Sequence, residues 1–186
     1  MYTVEAVIEG VAPILFNGWT KQALEDLDTG RTGGKRTIAQ KEAEGEAKLY
    51  RDARGIYLPK WNLKRCLEDG CRLGAFKEGR KGLLPYLQAT VFIEEDPVFD
   101  GPPDQWFMHI CWGRIPPRTG TAAILRRPAL PAGWRLPFQL VVMDDNRDPG
   151  RLNEVVTTAG LLAGIGAWRP EYGRFLLTDW KVKREK

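Results

Sequence analysis

Residues 157–175 read TTAGLLAGIGAWRPEYGRF, and the fold of the whole chain turns on what this stretch is. An apolar helix runs into Gly160, Gly164 and Gly166, and Trp168, Arg169, Tyr172, Gly173 and Arg174 follow within a few residues. Glycine accepts positive φ and close backbone approach, so a helix that ends this way lets main chain press against a partner. Two arginines and two aromatics beside such a turn suit phosphate pairing and base stacking. The same residues also read as a helix-to-strand turn whose Trp168 and Phe175 enter the core. The stretch alone leaves both readings open.

Working outward, Asp148-Pro149 marks the start of the helix, with aspartate as N-cap and proline at the first helical position. Leu152, Val155, Val156, Ala159, Leu162 and Ala163 form its buried stripe. Residues 175–182 then form a last strand. At the other end of the chain, residues 2–9 alternate, with Val4, Ala6 and Ile8 on one face, and form a first strand that continues past Pro13. Residues 17–37 are polar and turn-rich. Their Gly33-Gly34-Lys35-Arg36 fails the phosphate-loop pattern, which needs Ser or Thr after the lysine. Residues 40–54, rich in Ala, Glu and Lys, predict a helix ending at Gly55, and residues 55–59 a brief strand. Pro59 then opens a helix whose stripe is Leu63, Cys66, Leu67, Gly70 and Cys71. Residues 86–93, 106–112 and 134–143 read as further strands, the first two joined by an acidic, proline-containing connection.

The order of elements gives a βαββαβ skeleton. The fold class is α+β, ferredoxin-like or RRM-like, with two helices on one face of an antiparallel sheet. Residues 1–186 form a single domain, with a long insertion at about 17–54 after the first strand and a basic hairpin at about 112–130.

Hydrophobic content of 43% and seven tryptophans predict a folded globule rather than a disordered chain. Three cysteines (Cys66, Cys71 and Cys111) match no zinc spacing, and His109 is the sole histidine. A structural metal, a cofactor and a histidine-based triad are therefore not expected. No apolar run reaches bilayer length and no signal-peptide pattern is visible, so a soluble cytoplasmic protein is expected. The net charge of +4 and pI near 9.0 favour an anionic partner. The charge is concentrated in residues 114–129, RIPPRTGTAAILRRPA, which hold Arg114, Arg118, Arg126 and Arg127 without one carboxylate. Lys60, Lys64 and Arg65 surround a helix start, where unpaired N–H groups also favour anions.

Three blocks resemble a known family. Residues 57–67, YLPKWNLKRCL, resemble the segment that opens the first helix of RAMP proteins, the crRNA-binding backbone subunits of CRISPR effector complexes. Residues 164–175, GIGAWRPEYGRF, look like their glycine-rich loop before a final strand, and residues 11–18, VAPILFNG, like their first-strand ending. The ending is more similar still to that of stand-alone RAMP-like proteins encoded by bacteriophages, which would place the chain in a host cytoplasm. Lys60-Trp61-Asn62 departs from the family's usual Gly-Ser-Ser. The resemblance implies a modified RRM fold and self-association along nucleic acid.

The expected function is non-enzymatic binding of single-stranded RNA or DNA, with cations tracking phosphates and aromatics stacking bases. The expected binding residues are Lys64, Arg65, Arg118, Arg126, Arg127, Arg169 and Arg174, with Gly164, Gly166, Trp168 and Tyr172 in the glycine-rich loop. Two alternatives stand beside it. Some RAMP subunits cut RNA with an aspartate after the first strand, a region that holds Asp26 and Asp28 here. The basic face could instead serve a structural, protein-binding role.

Overall fold

The computed structural model describes residues 1–29, 37–78, 80–115 and 120–184. It is an α+β protein built on antiparallel sheets. The first strand, β1 (Tyr2–Gly10), alternates as predicted: Tyr2, Val4, Ala6 and Ile8 are buried while Thr3, Glu5 and Val7 are half-buried on the opposite face. A two-residue strand, β2 (Ile14–Leu15), follows Pro13. The stretch read as polar and turn-rich carries a helix, α1 (Lys21–Asp28), started by Thr20, whose hydroxyl accepts the Ala23 N–H at 3.1 Å.

The next helix, α2 (Ile38–Glu46), is earlier and shorter than the composition of residues 40–54 predicts. Thr37 and Gln40 form a reciprocal capping box, which fixes the start. The remainder of that segment is instead the small hairpin of β3 (Arg51–Asp52) and β4 (Gly55–Ile56). Helix α3 (Lys60–Leu73) buries Leu63, Cys66, Leu67, Gly70 and Cys71, the stripe predicted from its spacing. A second small hairpin, β5 (Lys77–Glu78) with β6 (Lys81–Gly82), comes next.

Residues 86–93 correct a sequence expectation. They are not a strand but the end of helix α4 (Leu84–Thr90) followed by the two-residue strand β7 (Val91–Phe92). Pro85 lies in the first turn of α4, where its fixed φ suits a helix and its missing N–H costs nothing. An apolar run of this length does not by itself tell a strand from a buried helical turn.

Strand β8 (Phe107–Ile115) pairs with β9 (Thr121–Leu130) in a long antiparallel hairpin, and β10 (Arg135–Val142) returns to the first sheet. Helix α5 (Pro149–Thr158) starts as predicted, with the Asp148 carboxylate accepting the Gly150 N–H at 2.9 Å and Pro149 in the first turn. It runs into a π-helical turn (Ala159–Ala163), and β11 (Phe175–Arg184) closes the chain.

The larger sheet has the order β11-β1-β10-β7, all neighbours antiparallel. The inward residues of β1 and β10 share one core with the stripes of α3 and α5, which places both helices on the same face. The smaller sheet has the order β2-β9-β8. Trp134 lies in the turn that leads from β9 of the smaller sheet to β10 of the larger. Its indole N–H donates to the Ala12 carbonyl at 2.9 Å, and its ring meets Phe99 and Phe175 edge-on.

Candidate nucleic-acid interface

The π turn begins where α3 comes close. A Cβ on Gly70 of α3 would lie 2.5 Å from the Cβ of Ala159, so glycine is what permits this approach of helix to turn. The chain then reverses through Gly164, Gly166 and Gly173, all at positive φ (67°, 83° and 72°). The Ile165 N–H donates to the Gly173 carbonyl, the Ala167 N–H to Leu15, and the Gly173 N–H to Pro13. The glycines thus press against this chain's own backbone. A Cβ at Gly164 would lie 2.9 Å from the Tyr172 carbonyl oxygen and one at Gly166 2.6 Å from that of Leu15. Sequence reasoning assigned these close approaches to a ligand. Their contacts in the structure are internal, and they clamp the loop to β2.

That clamp delivers Trp168 and Tyr172 onto one face of the β8–β9 hairpin. On this face the register sets His109 opposite Arg127, with Cys111 and Leu125 next along. The Tyr172 hydroxyl lies 3.3 Å from Nε2 of His109, and the two rings meet edge-on. The Arg127 guanidinium lies 4.8 Å above the Trp168 ring. Trp168 and Tyr172 are themselves in ring contact, with centroids 6.3 Å apart. Trp168 holds φ at +58°, a left-handed conformation costing a non-glycine residue about 1–2 kcal/mol, and such strain collects at functional sites.

Arg127 is half-buried, and burial pulls its guanidinium below its ordinary pKa. Neither Arg126 nor Arg127 has a carboxylate partner among the described residues, and the buried Nε of Arg126 has no hydrogen-bond acceptor. Burying a charge without a counter-charge is costly unless something anionic is bound there. The aromatic faces soften this cost but supply no acceptor.

The remaining expected residues fall elsewhere or are already engaged. Arg169 is 3.4 Å from Asp69 of α3 and donates to the Gly164 carbonyl at 3.3 Å, bracing the loop. Arg174 is exposed at the start of β11 and has no carboxylate partner among the described residues. Arg65 is exposed and pairs with Glu68 and Asp69 one turn on. Lys64 is turned away from solvent. Its ammonium donates to the carbonyls of Leu87, at 2.7 Å, and Val91, capping the end of α4, and burial lowers its pKa. Lys64→Ala should therefore cost about 1–3 kcal/mol of stability in a urea titration while leaving nucleic-acid affinity unchanged. The start of α3 is not open to anions either, because the Asp96 carboxylate accepts the Lys60 N–H at 2.7 Å. Arg118 lies outside the described residues.

His109 is the participant that sequence reasoning missed. Alternation in residues 106–112 places His109 and Cys111 on one strand face, but only the pairing with β9 sets that face beside Arg127. On the other side of the glycine loop, a cleft of about 200 Å³ opens between the loop and α3, lined by Asn17, Tyr50, Asn62, Gly166 and Ala167 among others. Trp61, 62% exposed in the first turn of α3, stands nearby in sequence. Among the described residues no group of three or more His, Cys, Asp or Glu side chains is placed to hold a metal ion. No helix among them is long and apolar enough to cross a membrane.

No protein-family model matches this sequence, and no curated protein does. Among solved structures, the chain is similar to one from the cryo-EM structure of the Type III-B Cmr-beta complex bound to cognate target RNA. The TM-score is 0.63 at 11% identity, over 98% of this chain and 61% of that one. The two share a fold.

Proposed function

With that shared fold as premise, we propose that this protein is a non-enzymatic, RAMP-like binder of single-stranded RNA. Its core is read as a ferredoxin-like βαββαβ unit. Taking β1, β7, β10 and β11 as the four core strands, the order β11-β1-β10-β7 and the helices α3 and α5 support this. The observation that carries the functional reading is the half-buried Arg127, its guanidinium over the Trp168 ring, with no carboxylate partner among the described residues. A phosphate supplies the missing counter-charge, and Tyr172 and Trp168 offer ring surface to a base. The strand would run from the hairpin across the glycine loop towards the cleft with Asn17 and Asn62. RNA is preferred over DNA on the likeness to an RNA-bound assembly.

The test is an electrophoretic mobility series with single-stranded RNA, single-stranded DNA and duplex of one sequence, at several salt concentrations, with and without Mg²⁺. Binding to the single strands should weaken steeply with salt, each phosphate contact contributing roughly 0.7 to the log–log slope. No shift with any nucleic acid would sink the reading and leave the protein-binding alternative. Full-length RNA should be recovered from the Mg²⁺ lanes. Cleavage that disappears in Asp26→Asn or Asp28→Asn would replace this proposal with the nuclease.

A further inference from the structure

Strand β8 is an open edge. One side pairs with β9 from Phe107 to Ile115 without a bulge, and no strand among the described residues pairs with the other. Open edges are normally kept short or guarded by lysine, proline or a bulge, because their unpaired N–H and C=O groups invite another strand. From Phe107 to Gly113 the sequence is FMHICWG, with no lysine, proline, arginine or carboxylate. The strand is also apolar where it meets solvent: Phe107 is 41%, Ile110 58% and Trp112 76% exposed. Ile110 and Trp112 share one face, to which Ile124, opposite Trp112 on β9, adds; Phe107 lies on the other, with His109. Helix α2 packs on the Ile110 face beside Met108 and Arg126, the latter opposite Ile110, where a Cβ on Gly45 would meet both at 3.0–3.1 Å.

We propose that this edge is a homodimer interface, in which β8 pairs antiparallel with β8 of a second copy about a two-fold axis through Cys111. The occupant is a second copy because the strand is self-complementary in this register. Ile110 and Trp112 lie one residue either side of Cys111, so Ile110 faces the partner's Trp112 and Trp112 faces the partner's Ile110. Such β-branched–aromatic pairs are favourable cross-strand neighbours. Arg114 faces the partner's Met108, and no like charges are opposed. Pairing completes both backbone edges and joins two three-stranded sheets into one of six strands, the closed, isologous arrangement expected of a dimer. His109 and Cys111 point to the other face, so dimerisation leaves the Trp168–Arg127 cluster uncovered. The inference stands apart from the nucleic-acid reading and needs no nucleic acid to be tested.

Light scattering coupled to size exclusion, without nucleic acid and across a range of protein concentrations, should give twice the 21.0 kDa mass of the chain. Trp112→Lys sets a lysine against the partner's Ile110 and should return a monomer with unchanged circular dichroism, since the ring it removes is largely exposed. Oxidation with copper phenanthroline should trap the wild-type dimer through Cys111 and fail in Cys111→Ser; Cys66 and Cys71 are buried and do not compete. A monomer at every concentration overturns the proposal. So does a dimer that survives Trp112→Lys, or one that Cys111 cannot cross-link.

Discussion

Gly173→Ala should lower the folding free energy by on the order of 4 kcal/mol, read as a large drop in the urea midpoint at unchanged slope. Two effects add. Gly173 sits at φ +72°, where a side chain costs about 1–2 kcal/mol. The new Cβ would also overlap the carbonyl oxygen, carbon and nitrogen of Ile165, which are backbone atoms with no rotamer to yield. Those atoms cannot move independently, because the Ile165 N–H donates to the Gly173 carbonyl and the Gly173 N–H to Pro13. Relief would come only by prising the glycine loop away from β2. Gly133→Ala is the control: its φ is +89°, yet a Cβ there meets nothing within 4 Å, so only the conformational cost of about 1–2 kcal/mol remains. Equal losses for the two variants would show that the loop yields more easily than its hydrogen bonds suggest.

Arg127→Ala should weaken single-stranded RNA binding by about 10–100-fold, the loss expected for one charge-assisted contact of roughly 1.5–3 kcal/mol. Its thermal midpoint should hold or rise, because the substitution removes a half-buried cation that no carboxylate partners among the described residues. This opposition of sign separates a binding residue from a structural one. Trp168→Ala should lose affinity by a similar factor, since it removes both the stacking surface and the ring beneath Arg127. Arg127→Lys tests the geometry, because an ammonium keeps the charge but not the planar fork of donors that a guanidinium offers a phosphate. Normal RNA binding by Arg127→Ala, or weakened binding only in step with unfolding, would remove this site from the reading.

Much of this molecule is legible in one dimension because its causes are local. The alternation of Tyr2, Val4, Ala6 and Ile8 forms β1 since a strand has only two faces, and the spacing of Leu63, Cys66, Leu67 and Cys71 buries one side of α3 for the same geometric reason. Asp148-Pro149 starts α5 because a cap and a fixed φ act within one turn. The basic character of the hairpin and the aromatics of the final loop are likewise visible in the residues themselves. What only the tertiary structure decided is which of them meet, and on which side. Lys64 and Arg127 look alike in sequence, yet one donates to the end of α4 and the other lies on Trp168. Gly164 and Gly166 read as room for a ligand until the fold brings Tyr172 and Leu15 against them. His109 acquires Tyr172 and Arg127 as neighbours only through the register of β8 with β9 and the clamp of the loop on β2. Most of these contacts join residues tens of positions apart or more. Strand register and loop closure set them, and both are settled by packing of the whole chain rather than by any local preference.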